Sequence, residues 1–174
     1  MKLLDVDGLS KSFGGVAALR QVQGHSVVGE TLGMIGPNGS GKTTFVNIIS
    51  GHVRPDVGKL TFGGIDIAGK TPHELAAIGL CRTYQSVRVF SALSTQQNID
   101  NARLLLSHRG LDHAELRELM EWLKLDGLLS KTAGSLTLFE QRRLELMMRL
   151  VLKPQLIMLD EPVGGLAVTE VIEM

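Results

Sequence analysis

Apolar residues recur through residues 3–7 and 16–28, which read as two short strands either side of the glycine turn at Gly14-Gly15. Gly24 and Ser26 weaken the second strand, because neither offers much side chain to pack. Residues 31–35 (TLGMI) form a compact apolar run that reads as a third strand, followed at once by a glycine-rich loop. The pattern then turns helical over 42–50, with Phe45, Val46 and Ile49 on the inner side and Gly51 closing the helix. Residues 59–67 read as a hairpin turning at Gly63-Gly64. Thr71-Pro72-His73-Glu74 is a helix start: Thr71 as N-cap, Pro72 in the first turn, Glu74 closing a capping box. Gly79 stops that helix, and 80–84 reads as another strand.

From about residue 90 the chain becomes polar and helical. Asp112 and Glu115 form a second capping box, followed by Leu116, Leu119, Met120 and Leu123 along one helical face. A helix over 138–152 stops before Pro154. The run Leu156-Ile157-Met158-Leu159 then predicts a buried strand that ends on Asp160-Glu161.

Composition narrows the class. In 174 residues, 44% apolar and 21% charged positions suit one folded globular domain, or one domain with a small inserted lobe. Lys+Arg 18 against Asp+Glu 18 leaves no net field to attract nucleic acid or a membrane surface. A single cysteine, Cys81, excludes a disulfide framework and a cysteine-rich zinc site, and suits a reducing compartment. The acidic start MKLLDVDG is unlike a signal peptide, and no apolar run approaches the roughly 18 residues of a membrane span. The expectation is a soluble protein with no membrane insertion of its own and no nucleic-acid partner. The five histidines (His25, His52, His73, His108, His113) show no metal-binding spacing and read as solvated or capping residues.

One segment carries chemistry by itself. Gly36-Pro37-Asn38-Gly39-Ser40-Gly41-Lys42-Thr43 satisfies G-x-x-x-x-G-K-[ST], with Thr44 following. Glycines let such a loop turn its backbone N–H groups inward as an anion nest, and the next helix adds its positive end. Lys42 would then reach the β- and γ-phosphates of a nucleotide, and the Thr43 hydroxyl would ligate Mg²⁺. At the tip of the 156–159 strand, Asp160 is placed to hold Mg²⁺ through water and Glu161 to polarise an attacking water.

Taken together, G-P-N-G-S-G-K-T-T at 36–44, R-T-Y-Q at 82–85, Q-R-R-L-E-L at 141–146 and L-D-E-P at 159–162 resemble an ABC-type ATPase subunit. More narrowly, S-K-S-F-G-G at 10–15, the stretch from Gly64 to Gln85, and V-G-G-L at 163–166 are similar to the ATP-binding subunits of branched-chain amino acid importers. The resemblance implies an α/β P-loop NTPase fold: a parallel-sheet core, a small antiparallel β-lobe and a helical lobe. It divides the single domain into 1–85 (β-lobe and P-loop core), 86–153 (mostly helical) and 154–174 (strand and turn). It implies ATP and Mg²⁺ as cofactors, with Gly36 to Thr44 around the phosphates and Phe13 stacked on adenine. It makes Thr43, Gln85 and Asp160 the metal set, Glu161, Lys42 and Gln85 the catalytic set, and Thr137 a contact to ATP in a second subunit. The implied partners are that second ATP-binding subunit and membrane permease subunits, the latter met by Ser86 to Leu93, at the cytoplasmic face of the inner membrane.

Some positions depart from the family pattern. Its glycine-rich signature aligns with Leu136-Thr137-Leu138-Phe139-Glu140, where Leu138 and Phe139 replace small residues and Thr137-x-x-Glu140 also spells a plain capping box. The turn Gly164-Gly165-Leu166-Ala167 has Ala where much of the family has Asp. No histidine follows Glu161, so the family's switch histidine is missing and the chain reads as incomplete at its C-terminus. The expected function is binding and hydrolysis of ATP to energise an importer of branched-chain amino acids or similar polar solutes. The alternative is a nucleotide-binding, non-hydrolysing partner or an inactive fragment. A GTPase would carry N-K-x-D, which does not occur here.

Overall fold

The computed structural model describes residues 2–104, 111–162, 164–166, 169 and 170. His108, Val163 and Ala167 therefore lie outside the described residues. The chain divides into two compact units, Met1–Ile78 and Gly79–Met174.

The first unit is built on an antiparallel sheet in the order β2-β1-β3-β4. Strands β1 (Lys2–Phe13) and β2 (Val16–Val27) are joined by Gly14-Gly15, both at positive φ. Two successive left-handed residues give a hairpin turn the twist its strands need, and glycine adopts them without a Cβ clash. Strand β3 (Val57–Phe62) pairs with the other edge of β1, and the two-residue β4 (Ile65–Asp66) folds back on it through the expected Gly63-Gly64 turn. Leu4, Val6 and Leu9 of β1, with Leu60 and Phe62 of β3, fill the core together with Ile48 and Ile49 of α1 (Lys42–Ile49) and Leu75 of α2 (Pro72–Ala77). The inner face of α1 is thus made by Ile48 and Ile49, whereas Phe45 and Val46 are only half-buried. Gly24 and Ser26 do not interrupt β2: Gly24 pairs with Val6, and Ser26 is buried.

The expected strand over 31–35 does not form. Residues 30–37 have no regular structure, and Leu32 and Ile35 are 65% and 95% exposed. A strand is held by a neighbour's backbone as much as by its own apolar side chains. Among the described residues no strand pairs with this run, and Gly33 at its centre contributes no packing.

In the second unit β5 (Leu80–Arg82) and β6 (Leu156–Met158) form a parallel pair with Cys81 opposite Ile157 and Arg82 opposite Met158. The run predicted as a fully buried strand to residue 159 stops at Met158, is only half-buried, and leaves Leu159 exposed. Helices α3 (Thr95–Leu104), α4 (His113–Trp122) and α5 (Leu138–Leu150) supply most of the core: Ile99, Leu116, Met120, Leu144 and Met147 cluster with Cys81, Leu123, Leu125 and Val151. Buried Asn98 on α3 fastens the preceding loop. Its Oδ1 accepts from the Phe90 amide at 2.7 Å, and its Nδ2 donates to the carbonyls of Phe90 and Ser94. Among the described residues no helix is long and apolar enough to cross a membrane.

Candidate functional site

Helix starts separate the glycine loop from the rest of the fold. Helices α2, α4 and α5 each begin with a complete capping box, on Thr71/Glu74, Asp112/Glu115 and Thr137/Glu140. Their first N–H groups are satisfied by the chain's own oxygens: a hydrogen bond from the Thr71 amide holds Glu74, and hydrogen bonds from the Glu115 and Ala114 amides hold Asp112, below the usual carboxylate range. Helix α1 begins on Gly41 with no side-chain cap and no acidic residue in its first turn. Gly41 has φ +91, and a Cβ there would lie 2.5 Å from the Ala18 carbonyl oxygen of β2. Glycine is required at that point twice over, by backbone conformation and by space.

The loop before α1 is held by its own atoms. Ser40 N–H donates to Pro37 O at 3.2 Å, and the Lys42 ammonium donates to the carbonyls of Gly36 and Pro37 at 2.6 and 2.9 Å. Lys42 therefore already closes over the loop rather than extending away from it. Gly36, Pro37, Asn38, Gly39 and Ser40 are all exposed, Thr43 is exposed and Thr44 half-buried. An ammonium, hydroxyls and an uncapped helix start make a donor set suited to phosphate oxygens. Phe13 ends β1 and is about half exposed, with the Lys11 ammonium 5.4 Å from the centre of its ring. It is not the core aromatic that its place beside a glycine turn could have made it.

In the second unit the residues beyond β5 and β6 are brought together by side chains. Thr83 extends the parallel ladder, its N–H donating to Met158 O at 3.0 Å, and its hydroxyl accepts from the Asp160 amide at 3.3 Å. The Arg82 guanidinium donates to Asp160 Oδ2 at 2.7 Å, with side-chain exposures of 7% and 25%. Glu161 takes φ +48, a left-handed conformation costing a non-glycine residue roughly 1–2 kcal/mol. Strain of this kind persists where surrounding contacts fix it. Here Gln85 Nε2 donates to Glu161 Oε2 at 3.1 Å, and the Gly164 amide donates to the Glu161 carbonyl. Gln85, distant in sequence from Asp160 and Glu161, thus shares with them one end of the parallel pair, where oxygen ligands and a carboxylate base suit a hard cation and water.

Three charged residues of this region carried no expected role: Arg82, Arg142 and Glu145. The second and third sit three apart on α5 in Q-R-R-L-E-L, and both are buried. A charged pair at that spacing inside an apolar helical stripe was the available signal. Burial pushes the Glu145 carboxyl up, against the opposing pull of Arg149, the Arg88 amide and Arg142. The Arg88 guanidinium lies 4.0 Å from the centre of the Tyr84 ring.

Thr137 stands at the start of α5, its Oγ1 accepting from the Glu140 amide at 3.2 Å while Glu140 Oε2 accepts from Thr137 N–H at 2.7 Å. The capping-box reading of this segment is what the local geometry contains.

A glycine loop running into a helix, a glutamine-bearing loop after one strand of a parallel pair and Asp-Glu just beyond the other strand define an α/β ATP-binding cassette. The chain belongs to the ABC transporter family, whose model matches residues 19–164. It is 35% identical to the high-affinity branched-chain amino acid transport ATP-binding protein BraF of Pseudomonas aeruginosa, over 94% of this chain and 71% of that one. It is 36% identical to the probable branched-chain amino acid transport ATP-binding protein LivG of Archaeoglobus fulgidus, over 95% and 69%. A crystal structure of an ATP-binding cassette of an ABC transporter in its ADP conformation superposes with a TM-score of 0.84 at 28% identity, covering 99% of this chain and 74% of that one. A nucleotide-free cassette gives 0.82 at the same identity and coverage.

Proposed function

We propose that the chain binds and hydrolyses ATP with Mg²⁺ to energise a membrane importer of branched-chain amino acids or similar polar solutes. The observation that carries this reading is the start of α1: unlike α2, α4 and α5 it has no side-chain oxygen capping it, and Lys42 is folded over the loop in front of it. Bound nucleotide supplies the scissile phosphoanhydride; the chain supplies the groups around it. Gly36 to Gly41 and Thr44 would line the phosphates, and Lys42 would exchange its two carbonyl partners for phosphate oxygens. Thr43, Gln85 and Asp160 would hold the metal, with Arg82 keeping the Asp160 carboxylate oriented. Glu161 would orient water and accept its proton, a role usually contributing about 10²–10⁴ in rate. Phe13, exposed beside the Gly14-Gly15 turn, would stack on adenine for about 1–3 kcal/mol.

Partners follow from the same family reading. A second ATP-binding subunit would face Thr137, and permease subunits would meet Ser86 to Leu93, which puts the chain at the cytoplasmic face of the inner membrane. A second reading rests on α5: Thr137 and Glu140 satisfy each other, and exposed Leu138 stands where close approach needs a small residue. That favours a subunit that binds nucleotide in its own loop but does not complete a partner's site.

Thermal unfolding with and without MgATP tests the main reading. Ligand at about 100 times its Kd should stabilise the chain by about 2.7 kcal/mol, several degrees in Tm, and Lys42→Ala should abolish the shift. No shift in the parent chain, or an equal one in Lys42→Ala, overturns it. Phosphate release by the parent chain but not by Glu161→Gln separates the hydrolytic reading from the second one.

A further inference from the structure

The loop after β5 is gripped by α5 on both of its hydrogen-bonding sides. Arg142 Nη1 donates to Tyr84 O at 2.7 Å, and Nη2 donates to Gln85 O. Glu145, one turn along the same helix, accepts from the Arg88 amide at 3.3 Å and from the Tyr84 amide. The two side chains lie 3.6 Å apart as an ion pair, 5% and 1% exposed. The planar fork donates to two successive carbonyls from two separate nitrogens, and the carboxylate offers acceptors to two amides. A buried ion pair alone is weak evidence for stability, since two apolar residues would pack there as well. What apolar residues could not do is fix four backbone groups of one exposed loop. Gln85 is the residue whose carbonyl Arg142 holds, and its side chain reaches Glu161 at 3.1 Å.

We infer that Arg142 and Glu145 form a backbone clamp that positions Gln85 against Glu161, so that α5 sets the reach of the glutamine toward the hydrolytic carboxylate. Arg142 is thus a positioning residue acting through Gln85, and its effect on turnover rests on the hydrolytic reading above. The clamp also gives α5 a mechanical role. Displacement of the helix drags the main chain of residues 84–88 with it and withdraws Gln85 from Glu161.

Amide hydrogen exchange on the full chain reads the clamp without any variant. The Tyr84 and Arg88 amides should exchange about tenfold to hundredfold more slowly than neighbouring exposed amides, as expected for bonds to a charged acceptor. Arg142→Lys keeps the charge facing Glu145 but loses the fork. It should speed exchange over 84–88 and lower kcat at least about tenfold while leaving the ATP dissociation constant unchanged. Adding Gln85→Ala to Arg142→Lys should lower kcat no further than Gln85→Ala alone, because both act through one side chain. Unprotected Tyr84 and Arg88 amides in the parent chain overturn the clamp, as does an additive double variant. If Arg142→Lys fails to fold, the parent chain's exchange still decides. Absence of ATP turnover in the parent chain defeats the hydrolytic reading instead, and the exchange result then stands separately.

Discussion

The glycine loop of the first unit and the Gln85–Glu161 corner of the second solve opposite problems with opposite means. The loop at 36–43 is exposed and held by backbone groups and one lysine, all within seven residues. The corner is assembled from β5, β6 and α5 by side chains 57 to 78 positions apart in sequence. A local loop leaves its polar groups for a ligand to satisfy; a corner built from afar has most of them satisfied beforehand. Binding should therefore reorganise the first more than the second.

The contrast breaks most readily at Arg82. Arg82→Met leaves the Asp160 carboxylate without its guanidinium, and partly buried pairs broken from one side cost up to about 3–5 kcal/mol. Because Asp160 is 25% exposed, about 2–3 kcal/mol is expected in urea unfolding, with a lower midpoint and unchanged slope. A loss below about 0.5 kcal/mol would mean the corner is held by the strands alone. Next in size, Thr137→Ala removes the α5 cap and should cost about 1 kcal/mol in the same assay. If the cap also orients the clamp, exchange over 84–88 should quicken along with it. The smallest effect belongs to the first unit. Ile35→Ser changes an almost fully exposed side chain and should move stability by no more than about 0.5 kcal/mol, measured by thermal unfolding of the chain without nucleotide. A larger loss would show that the 31–35 run packs as a strand in solution.

What was legible in the sequence was local. The capping boxes on Thr71, Asp112 and Thr137 and the hairpin turns at Gly14-Gly15 and Gly63-Gly64 each declare themselves within two to four residues, and each forms as expected. The 31–35 run misled because apolar composition is only half of what makes a strand; the other half is an edge to pair with, which no residue in the run encodes. Arg82 and Asn98 were invisible as anchors for the mirror reason, and the spacing of Arg142 and Glu145 signalled a pair without revealing the loop that it holds. Their partners lie on other elements or are backbone atoms, and a backbone carbonyl carries no sequence signature. Gln85 was placed by family resemblance alone; its contact with Glu161 emerges only once β5 and β6 are paired.

Cys81, next to Arg82 on β5, is the chain's one thiol and is buried, with burial pushing its pKa up. Thiolate is the reactive form, so the folded chain presents almost none to an alkylating reagent. Modification must then wait for β5 to part from its surroundings, and its rate counts those openings. The corner therefore carries its own chemical clock, one that needs no introduced label and that any ligand tightening the second unit should slow.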